Sequence, residues 1–204
     1  MLGFYNYTVI LTYCGLLISF WGMGFAIEGN MTAAFLCLMA SGLCDMFDGK
    51  VASTKERNAG EKHFGIEIDS LSDIVCFGVF PAIILHMQQP HRLLAIICGS
   101  LYLLCALIRL AYFNVDETQR QQQTEHRRSE YRGLPVSTCP IIIPLVYAID
   151  SHLNTLMLVT PLTMVLLGIA FLTPFPLKKP HLPGMLLLIS LGLCELLLIL
   201  RGAI

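Results

Sequence analysis

Seven stretches of the chain, at about 7–28, 31–48, 66–87, 92–113, 136–150, 153–173 and 183–200, are apolar almost without interruption. Each is too uniform for a soluble helix with one apolar face, and most approach the roughly 20 residues that cross a bilayer core. A segment in hydrocarbon must satisfy its own backbone hydrogen bonds, which a helix does. The chain is therefore expected to be all-α, a polytopic bundle of seven transmembrane helices. The fifth run, VSTCPIIIPLVYAI, is short and carries Pro140 and Pro144, so a kink is expected there.

Composition agrees with this reading. Of 204 residues 55% are hydrophobic and only 13% charged, where a soluble domain carries about 25% charge. A soluble globular domain is excluded. No internal repeat and no low-complexity tract beyond Gln121–Gln123 divides the sequence, so residues 1–204 read as one membrane domain. Its core helices run over about 7–173, and an additional helix follows at 183–200. The first residues, MLGFYNYTVILTY, lack the basic segment of a signal peptide and are expected to begin a retained helix. All eight cysteines sit in apolar runs with no Cys-x-x-Cys pair, which makes them free thiols packed as small hydrophobes.

The placement of charge orients the bundle. Formal net charge is −1, which offers no field for nucleic acid. With seven helices, the N-terminus and the loops after helices two, four and six share one side. Those loops hold Lys50, Lys55, Arg57, Lys62, Arg120, Arg127, Arg128, Arg132, Lys178 and Lys179, ten of the thirteen basic residues. By the positive-inside rule this side and the N-terminus face the cytoplasm of a multi-pass protein of the cytoplasmic membrane.

Acidic residues at membrane depth must be paired, hydrated or metal-bound. Asp45 and Asp48 are spaced i, i+3 at the cytoplasmic end of the second helix, and Asp69 and Asp73 i, i+4 at the beginning of the third. Each spacing puts its pair on one helical face. Consecutive antiparallel helices are usually neighbours, so the two acidic faces meet at one depth. Four carboxylates held together repel, and one or two hard divalent cations, Mg2+ or Mn2+, would hold them ionised; oxygen-only ligation disfavours zinc and copper. Gly49 and Gly65 beside the two pairs allow a ligand or backbone to approach closely. Such a cluster suits a phosphate ester, whose oxygens complete the metal shell. A divalent-cation transporter is the alternative from another class. It would need polar groups across the membrane, whereas the outer halves of these helices are nearly all apolar.

The residues D45-M-F-D48-G49-K-V-A52-S53 and G65-I-E-I-D69-S-L-S-D73 resemble the motif of the CDP-alcohol phosphotransferases, Asp-x-x-Asp-Gly-x-x-Ala-Arg followed by Gly-x-x-x-Asp-x-x-x-Asp. Seven of its eight fixed positions are present. FGIEIDSLSDIVCFGVFPA (64–82), RLAYFN (109–114), YRGLPVS (131–137) and LTPFPLKKP (172–180) further resemble bacterial and archaeal phosphatidylserine synthases.

The resemblance implies transfer of a phosphatidyl group from CDP-diacylglycerol to the hydroxyl of L-serine, with release of CMP. Inositol, inositol phosphate or glycerol phosphate are alternative acceptors for the same chemistry. It also implies a homodimer among membrane lipids. Asp45, Asp48 and Asp69 would hold the metals, with Asp73 sharing one and acting as general base. Asp45, Gly49, Ala52 and Gly65 would contact the CDP-lipid, and Arg109 and Arg132 are candidate contacts to the acceptor or to phosphate. Ser53 stands where the family has arginine, and eleven residues separate it from Gly65 instead of about eight. The longer loop carries Lys55 and Arg57, and Arg57 is the candidate replacement cation. Glu67 is expected to point away from the Asp69/Asp73 face.

Overall fold

A computed structural model describes residues 3–123, 130–153 and 158–178, with Gly184, Ser190–Gly192, Glu195 and Leu197. Helices dominate: α1 (Ile10–Ile27), α2 (Met31–Ala52), α3 (Ala59–Asp73), α4 (Phe80–Gln88), α5 (Arg92–Gln123), α6 (Cys139–Leu153) and α7 (Val159–Leu172). A π-helical stretch, Ile74–Val79, joins α3 to α4. Among the described residues four continuous helices, over 7–27, 31–52, 59–88 and 92–120, are long and apolar enough to cross a membrane, and two shorter apolar ones cover 136–150 and 159–172. The chain is a multi-pass membrane protein. The seventh expected span, 183–200, lies mostly outside the described residues, and the six described within it are helical.

Local chemistry sets the boundaries. Gly29 takes φ +83° after α1, a left-handed cap that costs a glycine little. Asn30 then accepts from Ala33 N at 3.1 Å to cap α2, and the tight turn sends α2 back along α1. Helix α3 starts at Ala59 and not at 66, because Asn58 and Glu61 form a reciprocal capping box. The loop between α2 and α3 therefore shrinks to Ser53–Asn58, and much of the polar segment expected as loop is helix. Likewise α5 runs ten residues past its expected end at 113, to Gln123, with Arg120 and Glu117 paired on its last turns.

The π-helical stretch has an identifiable cause. Pro81, in the first turn of α4, has no N–H for the carbonyl of Phe77, four residues back. That carbonyl accepts instead from the Tyr102 hydroxyl of α5 at 2.6 Å and faces Cys139 Sγ of α6 at 3.6 Å. Tyr102, Phe77, Phe80, Phe35, Leu38, Met164 and Phe171 belong to the buried core at the centre of the bundle. Close approach there uses small residues: a Cβ at Gly42 would stand 2.8 Å from the Pro140 ring, and one at Gly22 2.4 Å from Phe80. The seven described cysteines are free thiols.

The two ends of the bundle differ. At one, Asp150 of α6 is fully buried and accepts from Thr160 N and Oγ1 at 2.8 Å each, capping α7. At the other, a short antiparallel ribbon pairs β1 (Glu130–Arg132) with β2 (Pro176–Lys178). Beside it Gly133, at φ +81°, donates to Phe175 O at 2.8 Å. A Cβ at Gly133 would stand 2.8 Å from Thr173 O, so no side chain fits. The N-terminal segment, the α2–α3 loop and the start of α6 gather at this second end.

Candidate functional site

Asp45 and Asp48 lie one turn apart near the end of α2, and Asp69 and Asp73 one turn apart at the end of α3. Because α3 begins at Ala59, Asp69 sits ten residues into it, about 15 Å along the axis. The acidic pair thus closes the first half of its helix and does not open it, as had been expected. Its register is nonetheless intact, because the π-helical stretch that rephases the helix begins at Ile74, just past Asp73.

The two faces meet. One carboxylate oxygen from each of Asp45, Asp48 and Asp69 falls within 4.8 Å of the others. Asp73 is outside this closest group, but its carboxyl lies beside that of Asp45. All four residues are half-buried. Two hydroxyls complete the surroundings. Thr12 Oγ1 of α1 donates to Asp48 Oδ2 at 3.3 Å, while the Ser137 hydroxyl, in the turn before α6, lies beside Asp45. Ser72 Oγ in turn donates to Thr12 O at 3.3 Å and fixes α1 against α3.

This donor set fits a hard divalent cation. Ligand oxygens about 2.1 Å from an octahedral ion stand roughly 3 Å apart when adjacent and 4 Å when opposite. Three carboxylates already within 4.8 Å reach that geometry by small side-chain rotations. The ligands are oxygens alone, which excludes a thiolate or imidazole site at this position.

The glycines and the loop give the site its rim. A Cβ at Gly49 would meet nothing within 4 Å, so Gly49 leaves space open beside Asp48. Gly65 is different, since a Cβ there would lie 2.9 Å from Arg57 Nη1. The missing side chain makes room for the Arg57 guanidinium one turn above Asp69. Ser53, where the family motif has arginine, ends α2 and donates through Oγ to Lys50 O at 2.7 Å. Lys55, the other cation of the longer loop, pairs with Glu61 at 3.2 Å. Among the described residues no carboxylate pairs with Arg57. Ala52 is half-buried in the last turn of α2.

Arg109 is 7% exposed, too enclosed to reach out to the interface. Its Nε donates to Leu134 O at 3.4 Å, tying α5 to the turn before α6. Arg132 lies in β1, its backbone paired with Pro176; its side chain is outside those described. Glu67 does face away from the Asp69/Asp73 pair, but it is engaged within the protein. Asn114 Nδ2 of α5 donates to it at 3.3 Å, and the Ser70 hydroxyl donates to Asn114 Oδ1.

Two hydroxyls beside the aspartates, Thr12 and Ser137, and the amide of Asn114 behind them are not marked by any spacing in the sequence. Thr12 is one of several hydroxyls in an apolar run, 36 residues from its partner, and nothing local marks it. Ser137 and Asn114 sit inside YRGLPVS and RLAYFN, segments whose resemblance was the available signal.

Residues 5–176 match the family described as CDP-alcohol phosphatidyltransferase. Archaetidylserine synthase of Methanothermobacter thermautotrophicus is 32% identical over 123 residues, 60% of this chain and 49% of that protein. CDP-diacylglycerol--serine O-phosphatidyltransferase of Saccharomyces cerevisiae is 35% identical over 115 residues, 55% and 41% respectively. The enzyme of the same name from Bacillus subtilis is 26% identical over 157 residues, 74% and 77%. The chain thus spans about half or less of the first two of these relatives.

Proposed function

The chain belongs to the CDP-alcohol phosphatidyltransferase family, and from that premise we propose that it transfers a phosphatidyl group from CDP-diacylglycerol to L-serine, giving phosphatidylserine and CMP. The observation that carries the reading is the convergence of Asp45, Asp48 and Asp69 within 4.8 Å, with Asp73 against Asp45. The names of the relatives support serine as acceptor.

In this reading Asp45, Asp48 and Asp69 hold Mg2+ or Mn2+, two ions with Asp73 shared, and the metal supplies charge neutralisation on the pyrophosphate when bound. Asp73 orients the serine hydroxyl and takes its proton. The hydroxyl oxygen attacks the phosphorus bearing diacylglycerol, and the new O–P bond replaces the bond to CMP, which leaves with the electron pair. The space at Gly49 and Ala52 admits the nucleotide. Arg57, over Gly65, takes the part that arginine plays at the position of Ser53 in the family, since a guanidinium suits phosphate oxygens. Arg109 and Arg132 are the candidate contacts to the acceptor. The site opens to the cytoplasm, the side rich in Lys and Arg, in a single domain that assembles as a homodimer.

The test is CMP release by purified protein supplied with CDP-diacylglycerol and Mg2+ or Mn2+, with serine, inositol, inositol phosphate or glycerol phosphate in turn. Release with serine is the expected result. Release with another acceptor alone would reassign the substrate, and none with any acceptor would refute the enzyme reading.

A further inference from the structure

Residues 4–7 are tied to the α2–α3 loop and to the first turns of α3. At the loop, Tyr7 OH meets Thr54 Oγ1 at 3.0 Å. At α3, the Phe4 ring packs edge-on against Phe64 with centroids 5.5 Å apart and touches Gly60, where a Cβ would stand 3.3 Å from Phe4 Cζ. Asn6 links the two systems. Its Oδ1 accepts from Thr8 N at 3.0 Å, and its Nδ2 donates to Glu61 Oε1 at 3.1 Å.

Glu61 is where these ties converge. Its Oε1 also accepts from Lys55 Nζ at 3.2 Å, its Oε2 accepts from Asn58 N at 3.0 Å, and its own N–H donates to Asn58 Oδ1 at 2.8 Å. Arg57 stands between Lys55 and Asn58, so one carboxylate holds the chain on both sides of it. The same carboxylate neutralises Lys55 and leaves the Arg57 guanidinium as the cation over Gly65. A six-residue loop would otherwise have to be ordered, with its long side chain, each time an anion binds.

We propose that Asn6 and Glu61 form a clasp whose task is to position Arg57 for the phosphates of the donor nucleotide. Asn6 and Glu61 are positioning residues, acting through Arg57 without touching substrate. The inference rests on the reading of Arg57 as the donor-site cation given above.

The experiment measures KM for CDP-diacylglycerol and kcat with the full-length protein in mixed micelles for Asn6→Ala, Glu61→Ala, Glu61→Gln, Arg57→Ala and the double variant Asn6→Ala/Arg57→Ala. Asn6→Ala and Glu61→Ala are expected to raise KM about three- to tenfold, the size of one long side chain left to be ordered on binding, with kcat changed by less than about twofold. Glu61→Gln can keep the capping box through its one oxygen only by turning its NH2 toward Asn6 Nδ2 and Lys55 Nζ, so it spares the start of α3, breaks the clasp and should raise KM as Glu61→Ala does. Asn6→Ala should add nothing once Arg57 is alanine. An unchanged KM in Asn6→Ala, with KM raised in Arg57→Ala, overturns the clasp and leaves the role of Arg57 standing. The same increment from Asn6→Ala in both backgrounds also overturns it. An unchanged KM in Arg57→Ala removes the donor-site cation itself, and the clasp with it. Should Glu61→Ala fail to fold, Asn6→Ala decides alone.

Discussion

Replacing Gly65 by alanine separates stability from substrate binding, because the two should move in opposite directions. Gly65 lies inside α3, away from any left-handed backbone, so the added methyl is worth about 1 kcal/mol of helix stability. The same methyl would stand 2.9 Å from Arg57 Nη1, where ordinary contact begins at 3.4 Å, so the guanidinium must retreat by at least 0.5 Å. The arginine tip moves easily, and the fold should bear little cost. A charge-assisted hydrogen bond from that guanidinium to a phosphate, however, is best at about 2.7–2.9 Å and is largely lost 0.5 Å further out. Losing it costs about 1.5–3 kcal/mol, which is about tenfold to 150-fold in affinity. The measurements are the KM for CDP-diacylglycerol in mixed micelles and the thermal midpoint of the same detergent-solubilised protein. An unchanged KM beside an unchanged or raised midpoint would refute the placement of Arg57 in the donor site.

Asp73→Asn should reduce CMP release to background while retaining much of the CDP-lipid binding, which equilibrium binding of labelled donor would check; retained turnover excludes Asp73 as the base. Chelation of divalent ions should abolish turnover, and Mg2+ or Mn2+ should restore it where Zn2+ does not, as followed by CMP release. Asp150→Ala removes both hydrogen bonds to Thr160 at the start of α7. A loss of about 2 kcal/mol is expected, visible as a lowered thermal midpoint, with kcat at low temperature nearly unchanged because the residue lies at the end of the bundle away from the site. Tyr102→Phe takes the 2.6 Å hydroxyl bond from the Phe77 carbonyl and should cost about 1–3 kcal/mol by the same measurement.

How far each feature can be read from the sequence follows the range of the interaction behind it. The apolar runs and the two aspartate pairs are local patterns with helical periods, and they announce both the spans and the acidic faces. The start of α3 was equally local, since N58-A-G-E61 is a capping signature; it was hidden inside a polar segment that looked like loop. The π-helical stretch has a local trigger in Pro81, but its form depends on Tyr102, 25 residues from the carbonyl it caps. Thr12 and Ser137 reach the aspartates only through the packing of α1 and α6, and no spacing rule connects them. Asp150 ends an apolar run in the sequence, and its role as a cap for the next helix rests on Thr160, ten residues on.

The α2–α3 loop shows why a missing motif residue is weak evidence of lost chemistry. Sequence alone leaves two cations, Lys55 and Arg57, as substitutes for the arginine absent at position 53. Geometry distinguishes them, because Glu61 takes Lys55 at 3.2 Å while the Arg57 guanidinium occupies the space left by Gly65. A cation serves a phosphate through where its charge ends up, and a long side chain on a longer loop reaches a point that a shorter loop reaches from another residue. The glycine of the second motif half therefore has a specific meaning in this chain. It keeps open the space that the Arg57 guanidinium occupies, and in the proposed reading the insertion, the serine at 53 and the glycine at 65 are three parts of one arrangement.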